Sequence, residues 1–447
     1  MNFKQDPLKL PAGLTARSFT AVKRMKKKGQ GLFKKICQWP AWAWRKIGPG
    51  VITGAADDDP AGIVIYSLAG AKSWYQFLWT PIFTLPFMIN LESICGKIGL
   101  ATKKGIAGLL KTIVSPYIVY TIAFLMFFAN AFNIAADLKA ISDILSLLTS
   151  SQPEIWLIAS SLLIVFSMVF FSYQKFASIL KFLTLSLLAY IVSAFFLNID
   201  WSSALAHTFI PRFSFNQENF LILAAILGTT ISPYLFFWQA EEEVEEIRDK
   251  KLKPKKVRGA IKKMRSDVFW GMIFSNLVMY FIIATSAHVL FQDEVGTNQA
   301  FTIGQIAEVL RPLAGNFAYI IFSLAVIGTG LLAIPVLAGG AAYILSEVFE
   351  FPASLNKKLK EARGFYLSIF ASIFFALLLS FLPIASINFL LYTGVIYAAL
   401  TPVLILLILL IANNRKIMGE YRNNLIENIL GGLTLIIMTV VAILSFV

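Results

Sequence analysis

The sequence predicts an all-α integral membrane protein with eleven transmembrane helices, and three observations lead there. Of 447 residues, 57% are hydrophobic and only 14% charged, with a mean hydropathy of +0.72, a balance that a chain of this length could not carry in water. Apolar runs recur at 49–72, 76–100, 114–137, 154–173, 177–198, 219–240, 268–290, 315–345, 365–384, 387–412 and 425–446, each near the roughly 20 residues that a bilayer demands. The first and the sixth of these runs are interrupted at mid-span by a polar residue and a proline, Asp59-Pro60 and Ser232-Pro233.

Residues 1–47 read as a basic cytosolic tail. It carries Lys23-Arg24-Met25-Lys26-Lys27-Lys28 and then Trp39, Trp42 and Trp44 among Lys34, Lys35, Arg45 and Lys46, a segment suited to lying on an anionic inner leaflet. Pro7, Pro11 and Pro40 break it, and no removable signal peptide is expected. With the N-terminus inside, the loops holding Lys103, Lys104 and Lys111, then Lys175, then Lys250 to Arg265, then Lys357 to Arg363, then Arg415, Lys416 and Arg422 all fall on the cytosolic side. The opposite loops at 199–218 and 291–299 hold Arg212 as their one Lys or Arg, and Asp293 and Glu294 besides. The bias predicts a multi-pass plasma-membrane protein with its N-terminus cytosolic and its C-terminus outside.

The net charge of +14 would point to nucleic acid in a soluble protein; here the basic residues sit in loops and meet lipid, so nucleic acid is not expected as a partner, and no obligate protein partner is either. Cys37 in the tail and Cys95 inside a span make neither a disulfide framework nor a thiolate site. His207 and His288 fall toward the ends of spans, where a lone histidine is ordinarily a surface residue. Without a His or Cys cluster to run chemistry, an enzyme is not expected, nor is a cofactor.

Span one reads Gly48-Pro49-Gly50-Val51-Ile52-Thr53-Gly54-Ala55-Ala56-Asp57-Asp58-Asp59-Pro60-Ala61-Gly62-Ile63. Charged side chains and unpaired carbonyls are expensive in hydrocarbon, and such a segment persists where it lines a watered cavity or holds an ion. Pro60 removes a helical N–H and Gly62 weakens the next turn, so the carbonyls of 55–58 lose partners beside acids that can use them to hold a cation. Span six repeats the device in Gly228-Thr229-Thr230-Ile231-Ser232-Pro233-Tyr234. Five spans separate the two starts, and an odd number per half makes the repeats inverted, with paired broken helices marking a transport site. The predicted organisation is a tail at 1–47, a first five-helix repeat at 48–200, a second inverted one at 215–412 and an additional helix eleven at 424–446. The bland alternative is a pair of ordinary proline kinks, but three adjacent aspartates beside one of them have no bland explanation in lipid.

With these residues in view, the chain resembles the NRAMP divalent-metal transporters. The family's first broken helix reads Gly-Pro, nine residues, then Asp-Pro-Gly-Asn, and here Gly48-Pro49 is followed after nine residues by Asp59-Pro60-Ala61-Gly62. Ala69-Gly70-Ala71, Tyr75 and Leu78-Trp79 also fall where the family has similar residues, and Arg415-Lys416-Ile417-Met418-Gly419-Glu420 matches a basic pair followed by Met-Gly-Glu. In span six the family reads Gly-Ala-Thr-Ile-Met-Pro-His. The resemblance implies a LeuT-type 5+5 inverted repeat with broken helices 1 and 6, and a metal held by residues that map to Asp59, Gly62, Ser232 and the Thr229 carbonyl.

The departures shape the expected guest. The family's Asn is Gly62 and its Met is Ser232, so the amide and the thioether are gone while oxygen donors remain. A thioether favours softer transition metals, whereas carboxylate, hydroxyl, carbonyl and water suit Mg²⁺, Ca²⁺ and Mn²⁺, and Mg²⁺ keeps several waters. The chain is thus most similar to the NRAMP-related magnesium transporter branch, with Mg²⁺ or Mn²⁺ as transported substrate. In proton-coupled members span three carries a Glu seven residues before an Asp and another three after it; here these are Asn130, Asp137 and Ala140. The family's two span-six histidines correspond to Tyr234 and Gln239, neither of which titrates near neutral pH. Transport uncoupled from protons is therefore expected, driven by a membrane potential worth about 2.3 kcal/mol per charge per 100 mV, and about twice that for a divalent ion.

Among the remaining polar residues, Asp59 is expected as ligand, Asp58 as a holder of the ion's waters and the backbone at Ala56 as an oxygen donor, with either Asp57 or Asp58 protonated or paired with a basic residue in the bundle. Glu92 is either a buried hydrogen-bonding residue or a functional one. The run Glu241-Glu242-Glu243-Val244-Glu245-Glu246 either draws cations through an inner vestibule or forms a solvated face paired with the basic loop at 250–265. Two rival functions stay open: a proton-coupled Mn²⁺ or Fe²⁺ importer, and an organic-solute symporter of the same fold whose half-helix N-termini would bind a carboxylate. Asp59 argues against the last, since it would repel that anion.

Overall fold

Proline opens several helices of this chain, because its missing N–H is an orphan donor at a helix start anyway and its φ is already helical. The helix of span one is Pro60–Ser73, span three is Pro116–Thr149, span four is Pro153–Phe170 and the second half of span six is Pro233–Lys250. The other spans are Thr80–Thr102 (two), Leu188–Ala194 (five), Gln217–Thr230 (first half of six), Val257–Leu290 (seven), Ala318–Phe349 (eight), Arg363–Ser380 (nine), Ser386–Asn413 (ten) and Leu425–Leu444 (eleven). This computed structural model describes residues 54, 57–170, 185–250, 256–291, 302–311 and 317–446; the tail at 1–47, Ala56, Lys175 and Asp293-Glu294 lie outside them. Among the described residues there is no strand, and each of the eleven apolar runs carries a helix.

Eight of these helices are long and apolar enough to cross a bilayer alone, with span six counted through its break as Gln217–Arg248. Pro60–Phe77 and Thr80–Thr102 reach that length and apolarity taken together, and meet at a bend of 108°. That bend is the turn between spans one and two at Leu78-Trp79, a few residues after Trp74 ends the span-one helix with a positive φ of 50°.

Packing repeats between the two halves. Span one lies along span seven as the second half of span six lies along span two, spans three and four pair as eight and nine do, and spans three and eight, one from each half, face each other. Spans three and eight also end alike, on left-handed residues Ser150 and Glu350 with φ of 53° and 63°. Span eleven stands outside this scheme and is tied in by charge. Glu427, reciprocally capped with Asn424, lies 2.8 Å from Lys97 of span two and also pairs with Arg265 of span seven.

Two boundaries differ from the apolar pattern. Span three runs on to Thr149 because its extra turns are anchored: Lys139 Nζ donates to the carbonyls of Leu382 (2.8 Å) and Ile384 (2.6 Å), and Ser386 donates to Asp143. Span seven starts at Val257, so Lys262, Lys263 and Arg265 ride on a helix and not in a loop. The acidic run after span six is no solvated face. Glu241 and Glu243 are buried, and Glu245 accepts from Tyr343 Oη at 2.6 Å and Leu355 N at 3.1 Å. Of the expected pairing with the basic segment, Glu246–Lys263 at 3.9 Å is present.

The first half of span six crosses span ten with almost no space. A Cβ on Gly228 would collide with the Gly394 carbonyl and come within 2.7 Å of the Ala398 nitrogen. Gly228→Val is therefore expected to cost about 1–3 kcal/mol through overpacking, read as a lowered melting temperature in detergent. Gly432→Val, on span eleven where a Cβ meets nothing within 4 Å, is expected to leave it unchanged; equal melting of the two variants would contradict this packing.

Candidate metal centre

The break in span one is built around Asp59. Its backbone is extended at φ −66°, ψ 174°, and its Oδ1 accepts from Gly62 N at 2.8 Å, capping the helix that Pro60 opens. Its Oδ2 accepts from Asn133 Nδ2 of span three at 3.2 Å. Asp59 thus both starts a helix and ties span one to span three. Pro60 and Gly62 explain why this happens locally: proline cannot continue a helix from upstream, and the glycine amide two residues on is open to the capping oxygen.

Span six is broken by the same logic with a neutral residue. Its first helix ends at Thr230, Ile231 N closes the last turn onto Leu227 O at 2.8 Å, and Pro233 restarts the chain without a donor. The carbonyls left over are met by side chains, as orphan helix ends require. Ser232 Oγ donates to Thr229 O and, at 3.3 Å, to Gly228 O, and Thr401 Oγ1 of span ten donates to Ile231 O at 3.4 Å. A cation bound through the Thr229 carbonyl would share that oxygen with the Ser232 hydroxyl.

Around the two breaks lie further buried oxygens. Asp137 is fully buried within electrostatic range of Asp59, with the Ala61 backbone of span one beside it. Asn130 donates to Leu337 O at 3.1 Å and accepts from Tyr397 Oη at 3.0 Å, which locks spans three, eight and ten together. The Tyr234 ring stands 5.6 Å from that of Tyr397. Gln239 is turned to other work, donating to Glu243 at 3.3 Å.

Asp57 and Asp58 face another way. The hydroxyl of Ser275 in span seven is placed 2.9 Å from Asp57 Oδ2 and 3.2 Å from Asp58 Oδ1, so neither is paired with a basic residue. Among the described residues every ion pair lies elsewhere, and none involves Asp57, Asp58, Asp59, Glu92 or Asp137. A group of carboxylates in hydrocarbon without counter-ions is a strong cation attractor. Also among the described residues, no three His, Cys, Asp or Glu converge tightly enough to chelate a bare ion, so an ion here would complete its shell with hydroxyls, carbonyls and water.

Of the residues singled out in the sequence, Asp59, Gly62 and Asp137 cluster at the first break, and Thr229, Ser232 and Tyr234 at the second, with Tyr234 within electrostatic range of Asp59. Asp58 turns to Ser275, Asn130 ties spans three, eight and ten, and Gln239 donates to Glu243. Asn133, Ser275, Tyr397 and Thr401 are additions. Asn133 had a signal, since 130, 133 and 137 follow at helical spacing on one face; the others are neutral polar residues within apolar runs, Ser275 next to Asn276.

Two broken spans meeting beside a buried, uncompensated carboxylate define a carrier that takes a cation across the membrane between two repeats. Residues 50–447 match the natural resistance-associated macrophage protein-like family, and the chain belongs to this Nramp family of transporters. It is 24% identical over 402 residues to the divalent metal cation transporter MntH of Caldanaerobacter subterraneus subsp. tengcongensis, covering 86% of this chain and 88% of that one. Its fold matches that of the Eremococcus coleocola manganese transporter in complex with an aromatic bis-isothiourea compound, with a TM-score of 0.73 at 16% identity over 91% of this chain and 87% of the other. Mhp1, a nucleobase-cation-symport-1 family transporter with bromovinylhydantoin bound, matches at a TM-score of 0.54 and 15% identity, over 90% of each chain.

Asn133→Ala leaves Asp59 Oδ2 without its donor. Supporting hydrogen bonds of this kind are worth about 10–100-fold in metal affinity, so the variant is expected to bind the transported ion at least about tenfold more weakly, by titration calorimetry on purified protein. Unchanged affinity would mean that the orientation of Asp59 does not depend on span three.

Proposed function

We propose that this Nramp-family transporter carries divalent cations by alternating access at the paired breaks, prefers a hard, partly hydrated ion such as Mg²⁺ or Mn²⁺, and runs down the membrane potential without protons. The observation that carries this reading is the donor set at the breaks. Asp59, Asp137, Ser232 and the Thr229 carbonyl offer oxygen alone, and the family's amide and thioether positions are Gly62 and Ser232. Oxygen-only donors favour Mg²⁺, Ca²⁺ and Mn²⁺ over softer metals, and Mg²⁺ needs only one or two carboxylates because it keeps several waters.

The proton-independent part rests on Asn130 and Ala140, which cannot titrate, and on Tyr234 and Gln239 at the family's histidine positions. Asn130 is instead a structural tie to Leu337 and Tyr397. Asp59, with Gly62, Thr229 and Ser232, is the ion's site in this reading; Asp137 adds negative charge beside it. The positive loops support an inward orientation of the N-terminus, so influx is the expected direction.

A second reading, a proton-coupled manganese importer, draws on the names of the relatives and on the retained Asp137. Purified protein in liposomes separates the two. Mg²⁺ influx without a change of internal pH, lost in Asp59→Ala, is expected; no Mg²⁺ flux, or flux only with a proton gradient, would contradict the proposal. Ser232→Met should raise the preference for Mn²⁺ or Cd²⁺ over Mg²⁺ by about tenfold, as sulfur returns to the site. An unchanged preference order would show that residue 232 does not face the ion.

A further inference from the structure

We propose a second cation site, formed by Asp57 and Asp58 of span one with Ser275 of span seven, and lined by Glu92 of span two and Tyr66 of span one. The proposal takes only the class of ion, a hard divalent cation, from the reading above; the site itself stands on different residues.

Three observations carry it. The first is convergence: one hydroxyl, Ser275 Oγ, lies within hydrogen-bonding distance of both Asp57 and Asp58, which gathers the two carboxylates on the side of spans two and seven while Asp59 turns to Asn133 of span three. The second is unmet capacity. Asp57 Oδ1, Asp58 Oδ2, Glu92 Oε2 and Tyr66 Oη are all buried without a hydrogen-bond partner. Asp57, Asp58 and Tyr66 are 0% exposed and Glu92 3%. Glu92 and Tyr66 each lie within electrostatic range of Asp57. A buried polar atom left unsatisfied costs about 1–3 kcal/mol, more when charged, and four such atoms, on Asp57 and on three residues within its electrostatic range, are better explained by a ligand than by four separate defects.

The third is charge balance. A divalent ion at Asp59 with Asp137 neutralises those two carboxylates and leaves Asp57, Asp58 and Glu92, with no basic side chain paired to any of them among the described residues. Either protons or a second cation must compensate them in hydrocarbon. The donors choose the cation's class: two carboxylates and a hydroxyl in direct reach, with a third carboxylate and a phenol beyond, are all hard oxygens. As no three carboxylates converge as direct ligands, the ion contacts Asp57, Asp58 and Ser275 and meets Glu92 and Tyr66 through water. Spans one, two and seven meet at this point, so an ion here would bind the first half of the carrier to the second independently of the transported one.

Equilibrium binding of Mn²⁺ to the purified full-length protein, counted per chain, tests this. Two ions are expected in the wild type, one in Asp57→Asn/Glu92→Gln and one in Asp59→Ala, with a melting curve confirming that each variant is folded. Ser275→Ala is expected to weaken one of the two sites at least tenfold while sparing the other. A wild-type count of one that Asp57→Asn/Glu92→Gln leaves intact would overturn the second site and keep the proposed function. A count of one that survives Asp59→Ala but is lost in Asp57→Asn/Glu92→Gln would do the opposite, and no binding at all would overturn both.

Discussion

A carboxylate in hydrocarbon needs a replacement for the water it has lost, and Asp59 finds part of it in the chain itself. One oxygen takes the Gly62 amide and the other takes the Asn133 side chain. The first bond lets a helix begin at mid-membrane and the second holds that helix start against span three. Both bonds favour the charged form of the carboxylate, against the cost of its burial. The helix start and its tie to span three thus both rest on one side chain, and in the proposed function the same carboxylate holds the ion.

The second break shows how the same fold manages without charge. Ser232 and Thr401 supply hydroxyls to carbonyls that Pro233 leaves unpaired, and the Tyr234–Tyr397 pair fills the space beside them. A methionine at 232 could not donate to the Thr229 carbonyl. In the proposed site, replacing sulfur by a hydroxyl therefore changes two things together: the softness of the donor set and the way the broken backbone is satisfied. Transport by rocking of one repeat against another asks for helix ends that are stable while not continuous, and side-chain caps on both breaks provide that.

Much of this was legible in the sequence. Asp59-Pro60, Ser232-Pro233 and the length of the apolar runs were enough for the two breaks, the inverted relation and the eleven helices, because hydrocarbon permits so few backbone solutions. What stayed hidden depended on partners distant in the chain. Nothing near Ser275 marks it as the residue that gathers Asp57 and Asp58 from 218 and 217 positions away, and Tyr397 reaches Asn130 across 267. Of the two readings of the acidic run after span six, the solvated face fails for the same reason: Glu245 meets Tyr343 and Leu355, 98 and 110 positions on.

In the function we propose, the ion at the breaks is held by oxygen alone and keeps part of its water. X-ray absorption at the manganese edge, on Mn²⁺ bound to the purified protein at one equivalent, reports the neighbouring atoms directly. An all-oxygen shell that includes exchangeable water, and that is lost in Asp59→Ala, is the result this account predicts. A sulfur neighbour, or a shell emptied of water, would contradict it.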